Sequence, residues 1–120
     1  MARVGAILRR AKEVTAGDPS FLQLADLVMH VDTHEVWRRE APIDLTATEF
    51  NLLHYLLENP RRVISKSELL DNVWGFDFHG DPNIVETYIS YLRKKIDVVE
   101  PALIHTIRRV GYTLRLPREG

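Results

Sequence analysis

Two stretches of this chain carry side chains whose types and spacing suit recognition chemistry. In NIVETYISYLRKKID (residues 83–97), Thr87, Ser90 and Tyr91 offer hydroxyls, and Thr87 adds a methyl group suited to thymine. Lys94 adds a donor for guanine acceptors. In LIHTIRRVGYTLRL (residues 103–116), Arg108 and Arg109 stand together where the chain must reverse. Hydroxyls and an ammonium on one helix face match the hydrogen-bonding pattern of base edges in a major groove. A basic hairpin beside such a helix suits the adjoining backbone or minor groove. The combination describes a helix-plus-wing reader of duplex DNA.

The helix reading follows from angular spacing. With Val85 at zero and 100° per residue, Ile89, Leu92 and Ile96 fall within about 40° of it and form an apolar spine. Asn83, Thr87, Ser90 and Lys94 lie opposite, with Tyr91 at one margin and Glu86 at the other. Arg93 and Lys95 sit on the two flanks, where long basic side chains reach towards phosphates on either wall of a groove. A polar helix face is also what an ordinary solvated surface looks like, and spacing by itself favours that plainer role. Glu86 has two readings, acceptor for cytosine or reciprocal partner in a helix cap, and the cap is preferred. The hairpin joins two runs around Thr106–Tyr112, with Gly111 expected at a positive φ in the turn or bulge.

Other elements must hold these two. Residues 21–45 alternate apolar and polar positions through Leu22, Leu24, Met29, Val31 and Val36, with reversals at 32–33 and 39–41. That predicts three or four short antiparallel strands. Three helix starts follow with one signature: Thr46 before Glu49, Ser65 before Glu68, and Asn83 before Glu86, each three residues apart. The first helix carries Phe50, Leu53, Leu56 and Leu57 and stops at Asn59-Pro60. The second carries Leu69, Leu70 and Val73 and ends at Trp74, with Gly75 suited to a left-handed C-terminal cap. Val63 and Ile64 allow a very short strand between them, and residues 75–82 form a Gly, Asp and Pro-rich loop before the third helix. Upstream, residues 2–14 have helical periodicity and residues 15–20 a linker composition, which fits either the tail of a preceding domain or an N-terminal helix docked on this one.

Bulk properties narrow the class. At 120 residues and 45% hydrophobic content, one domain with one core is expected. The chain has no cysteine, so disulfides and thiolate metal sites are excluded, and no apolar run approaches a membrane span. A cytoplasmic protein with no membrane partner is the expectation. A net charge of −1 argues against a generic basic nucleic-acid binder. Its distribution is uneven, however: residues 1–60 carry −3 and residues 61–120 carry +2. Any DNA surface must be local and lie in the second half. An enzyme finds little support. His30 and His34 do not share a helical face, turn chemistry explains Asp77 and Asp81 around His79, and no nucleophile–base pair or phosphate-cradling loop is present. No cofactor or metal is expected.

With those residues in place, the chain resembles the C-terminal effector domain of OmpR/PhoB-type response regulators. The resemblance rests on LTATEFNLLHYLLENPRRVISKSELLDNVWG, NIVETYISYLRKKID and HTIRRVGYTLR, and covers residues 21–116. It implies an α+β fold: a winged helix-turn-helix with an N-terminal four-stranded antiparallel sheet, three helices and a C-terminal β-hairpin wing. It also implies that residues 83–97 are the recognition helix and 104–116 the wing, within a DNA-binding domain of residues 21–117. Residues 1–14 resemble the last helix of a receiver domain, with 15–20 as linker. By motif position, Thr87 and Tyr91 match base-contacting sites, Arg93 a phosphate-contacting arginine, and Arg108 the arginine of the wing that enters the minor groove. Trp74 matches a residue that packs near the backbone, although a core aromatic is an equal reading. Phe76, Asp77, Phe78 and His79 fall in the loop that touches RNA polymerase in some members. Two departures stand out: Arg109 occupies a position where many members have glycine, and Tyr91 one where some have arginine. The implied partners are direct-repeat promoter DNA, RNA polymerase and a second protomer on DNA. A sensor kinase would act only through a receiver domain outside this chain. The rival reading is a winged-helix protein–protein module. It is distinguished by whether Arg93, Lys94, Arg108 and Arg109 share a surface with the Thr87/Tyr91 face.

Overall fold

A computed structural model describes residues 20–75 and 78–116. The expectations for residues 1–14 and 15–19, for Phe76 and Asp77, and for position 117 lie outside the described residues. The chain divides after Leu45 into two units.

The first unit is a four-stranded antiparallel meander: β1 (Phe21–Leu24), β2 (Leu27–His30), β3 (Glu35–Arg38) and β4 (Ala41–Ile43). The register sets Val28 opposite Trp37 and Met29 opposite Val36. Since alternate residues face opposite ways, Val28 and Trp37 bury one face, with Phe21 packed against them. Leu27, Met29 and Val36 are buried on the other. Of four possible strands all are present, including a reversal at Ala25-Asp26 that periodicity had not marked. Ala25, Arg39 and Glu40 adopt positive φ without glycine. The Asp26 carboxylate binds Arg38 Nε at 2.6 Å and Arg39 Nε at 3.3 Å, tying the first turn to the third.

The second unit contains three helical elements and a hairpin. Helix α1 (Ala47–Glu58) opens with a complete capping box: Thr46 accepts from the Glu49 N–H, and Glu49 accepts from the Thr46 N–H at 2.9 Å. The second element, α2, starts as an α-helix (Lys66–Leu69) and finishes as a π-helical turn (Leu70–Trp74), closed by Gly75 N–H on the Leu70 carbonyl at 2.8 Å. Helix α3 (Ile84–Ile96) precedes β5 (Ile104–Ile107) and β6 (Gly111–Leu114), which pair antiparallel. The short strand expected at Val63-Ile64 is a single bridge, Ile64 to Tyr112. The Val85, Ile89, Leu92 and Ile96 spine is buried, as are Phe50, Leu53, Leu56 and Leu57.

Three local expectations are corrected. At α2, Ser65 caps the Glu68 N–H, but the Glu68 side chain does not return the bond. It accepts from the Tyr55 hydroxyl and from Arg62 Nη2 instead, binding α1 to the start of α2. At α3, Asn83 is itself in a helical conformation and makes no side-chain cap. Asp81 starts that helix instead, its carboxylate accepting from the Asn83 N–H and its carbonyl from the Ile84 N–H. Gly75 does take a positive φ, 109°, but with ψ 155° it leads the chain away extended and is not a left-handed cap.

The capping difference is measurable by urea unfolding. Thr46→Ala should cost about 1 kcal/mol. Asn83→Ala should stay within about 0.5 kcal/mol of the parent, and equal losses would contradict the cap assignment.

Candidate nucleic-acid interface

Helix α3 is oriented by its buried spine, which turns Asn83, Glu86, Thr87, Ser90, Tyr91 and Lys94 outward as exposed residues. Tyr91 remains 43% exposed. The hairpin is fastened to the same helix at two points. Arg93 donates from Nη2 to the Thr106 hydroxyl and from Nε to the Ile104 carbonyl at 3.4 Å. One turn later, the Asp97 carboxylate accepts from the Leu103 and Ile104 N–H groups at 2.9 and 3.2 Å. The hairpin therefore lies alongside α3. A cavity of about 380 Å³ between them is lined by Lys66, Glu86, Thr106, Arg109 and Tyr112, among others. The Glu86 side of the helix and the Arg109 side of the wing thus border one surface.

The reversal spans Ile107–Val110, closed by Val110 N–H on the Ile107 carbonyl at 2.9 Å. The positive φ falls on Arg109, at 67°, and not on Gly111 as expected. Gly111 is required for a different reason. A Cβ there would stand 2.0 Å from the Ile64 carbonyl oxygen, in the backbone pairing of residue 64 with Tyr112. Arg108 and Arg109 are both exposed at the turn.

The flanking cations divide. Lys95 donates to Glu49 Oε1 at 2.7 Å, joining α3 to the capping box of α1. Burial by itself would raise the Glu49 pKa, but the hydrogen bonds from Lys95 and Thr46 outweigh it and hold the carboxyl below its ordinary value. Lys66 donates to Glu86 Oε2 at 2.7 Å, and that bond raises the Lys66 pKa. Glu86 is therefore neither a cap nor free, a role the sequence could not show because Lys66 lies twenty residues away. Lys94 is exposed. Trp74 is half-buried with its ring edge-on to Tyr88 at 5.6 Å and tilted against Phe78 at 6.5 Å. Of the loop residues considered, Phe78 is half-buried and His79 exposed. Among the described residues no cluster of His, Cys, Asp or Glu is suited to a metal. No described helix is long and apolar enough to cross a membrane.

A buried-spine helix with an exposed hydroxyl-bearing face, a second helix ahead of it and a basic hairpin fastened beside it define a winged-helix domain. The chain belongs to the family described as "Transcriptional regulatory protein, C terminal", whose profile matches residues 39–114. It is 49% identical over 116 residues to the probable transcriptional regulatory protein TcrX of Mycobacterium tuberculosis, covering 97% of this chain and 50% of that protein. It is 48% identical over 117 residues to the response regulator MprA of Mycolicibacterium vanbaalenii, covering 96% of this chain and 51% of that protein. Among solved structures, it is similar to DrrB, an OmpR/PhoB homolog of Thermotoga maritima, with TM-score 0.73 and 28% identity over 89% of this chain and 49% of that one. The DNA-binding domain of Klebsiella pneumoniae RstA, solved in complex with the RstA box, aligns with TM-score 0.71 and 26% identity. That match covers 79% of this chain and 96% of the RstA domain. The chain spans about half the length of the curated relatives it matches. The family is one of transcriptional regulators and not of enzymes, and the four-stranded sheet, three helices and hairpin found here match the fold of the OmpR/PhoB-type DNA-binding domains among those structures.

Two measurements check the wing and the brace. Arg109→Gly should relieve the left-handed backbone and raise stability by up to about 1 kcal/mol, whereas Gly111→Ala should lower it by about 1–3 kcal/mol through overpacking. A destabilised Arg109→Gly would contradict the turn geometry. For acid stability, a carboxyl with a depressed folded pKa stabilises fully above its unfolded value, about 4, and the contribution is lost as pH falls through the folded value. Stability measured by urea unfolding should therefore fall as pH drops below about 4, with a shallower pH dependence in Glu49→Gln.

Proposed function

We propose that this chain is the DNA-binding output domain of a two-component response regulator. It binds duplex DNA sequence-specifically, with α3 in the major groove and the β5–β6 wing at the adjacent minor groove. The observation that carries this reading is the fastening of the wing to α3 by Arg93 and Asp97, with Glu86 of the helix and Arg109 of the turn bordering one cavity. Family membership and the likeness to a domain solved with its DNA site support it. The protein–protein alternative would gain from a wing turned away from the helix, and the geometry gives it no such advantage.

In this reading Thr87, Ser90, Tyr91 and Lys94 meet base edges, with Asn83 at the N-terminal end of the same face. Arg108, Arg109 and Trp74 meet the backbone or minor groove. Arg93 serves twice, bracing Thr106 and adding charge to the groove wall. Lys95 is reassigned from phosphate contact to positioning, because Glu49 already holds it. Tyr91 brings a ring and hydroxyl in place of a bidentate guanidinium, so guanine is not its preferred target. Residues 1–14 would be the last helix of a receiver domain, joined by the linker 15–20. Through that receiver a sensor kinase would control pairing of two protomers on direct-repeat sites. Residues 75–82, with Phe76, Asp77, Phe78 and His79, would face RNA polymerase. Such a protein works in the cytoplasm.

Mobility-shift titrations over a range of salt test the proposal. Binding should weaken with a log–log slope of about −0.9 per phosphate neutralised, several units in all. A flat response, or no affinity for any duplex, would remove the DNA reading. Tyr91→Ala should cost about 1–3 kcal/mol on the best site and alter its sequence preference. Arg108→Ala and Arg93→Ala should weaken all duplexes alike and shallow the slope by about one each, and Arg93→Ala should also lower the melting temperature. Glu86→Gln removes a negative charge and releases Lys66, so affinity for non-specific DNA should rise. An unchanged non-specific affinity would mean that the pair lies away from the phosphates.

A further inference from the structure

We infer that Tyr88 is a positioning residue for sequence reading: its ring, set between Trp74 and Tyr91, selects the orientation in which Tyr91 meets a base. The inference deepens the proposed DNA reading and rests on Tyr91 being a base-contacting residue. Three aromatic rings touch in succession from the end of α2 to the exposed face of α3. Trp74 meets Tyr88 at 5.6 Å between centroids and 72° between planes, and Tyr88 meets Tyr91 at 5.3 Å and 68°. Both are edge-to-face contacts, which are directional and not merely apolar.

Each end of the row is anchored differently. Trp74 is carried by the π-helical turn that Gly75 closes on Leu70, a backbone irregularity that regular α-helical spacing would not produce. Behind it, Phe78 lies against Trp74, and its ring occupies the space that a Cβ at Gly80 would need, 2.5 Å away. Tyr91 at the other end is 43% exposed, and a tyrosine on an open helix face has two accessible χ1 rotamers. Tyr88 is its neighbour three residues earlier on the same face, close enough to favour one of them. A ring already held loses less freedom on contacting a base, and discrimination between bases depends on that fixed geometry.

The test uses the whole chain, its best-bound duplex and duplexes altered one base pair at a time, with fluorescence anisotropy and thermal melts. Tyr91→Ala should reduce discrimination at one base-pair position by about tenfold or more. Tyr88→Leu should reduce it at the same position by a similar factor, the double variant should lose no more than either single, and Tyr88→Phe should retain the parent preference. Tyr88→Met serves as a second variant if Tyr88→Leu melts early. In the unbound parent, NMR couplings of Tyr91 should report one dominant χ1 rotamer, averaging in Tyr88→Leu. Discrimination retained by Tyr88→Leu and Tyr88→Met but lost in Tyr91→Ala would overturn the positioning role and leave the base contact standing. Loss in Tyr88→Phe would overturn it too, by assigning the contact to the Tyr88 hydroxyl. Rotamer averaging of Tyr91 in the parent would do the same. Unchanged discrimination in Tyr91→Ala would instead overturn the base contact itself.

Discussion

The joint between α3 and the hairpin is the constraint on which the rest of the interface depends. Arg93 reaches across to Thr106 and the Ile104 carbonyl, and the Asp97 carboxylate accepts from the Leu103 and Ile104 N–H groups. A cation and an anion one helical turn apart thus hold one strand by its backbone. Charge-assisted bonds of this kind are stronger than neutral ones and fix direction. A two-stranded ribbon is only marginally stable by itself, and these bonds secure its first strand. Backbone pairing of residues 61 and 64 with β6 secures the second strand, and Gly111 allows that approach because it has no Cβ.

A second set of ion pairs fixes α3 against the helices that precede it. Lys95 to Glu49 binds it to the cap of α1, and Lys66 to Glu86 binds it to the first residue of α2. Tyr55, Arg62 and Glu68 form a third connection between α1 and α2. These contacts use up charges that a count would assign to DNA. The second half of the chain carries only a small positive excess, and part of its basic complement is already committed within the fold. Among the described residues of the second half, Lys94, Arg108 and Arg109 are exposed on α3 and the turn, and Arg61 is exposed as well. Affinity in such an interface depends on position more than on total charge.

Arg109 shows how local strain and recognition meet. Its backbone sits at a φ that glycine occupies without cost, in a turn where an arginine side chain gains an exposed position beside the cavity shared with Glu86. Residues held in unfavourable backbone regions persist where the surrounding structure over-determines them. Here the β5–β6 pairing on one side and the Ile107–Val110 bond on the other do so.

The sequence alone was enough for what depends on neighbours within a few residues. The Val85/Ile89/Leu92/Ile96 spine, the Thr46–Glu49 capping box and the order of elements follow from periodicity and short-range hydrogen bonding, and each is present. The strands are present too, but not their alternation, since β2 and β3 bury consecutive residues. Where a side chain had a choice between a near and a distant partner, only the tertiary structure decided. Glu49 kept its local bond and also took Lys95, forty-six residues away. Glu68 and Glu86 gave up the local reciprocal bond for Tyr55, Arg62 and Lys66, and Asp81 started the third helix in place of Asn83. The same signature of a cap and a glutamate three residues on thus had three outcomes. The physical reason is that the cap bond is worth about 1 kcal/mol, small enough for a packed partner that arrives only with the fold to displace it.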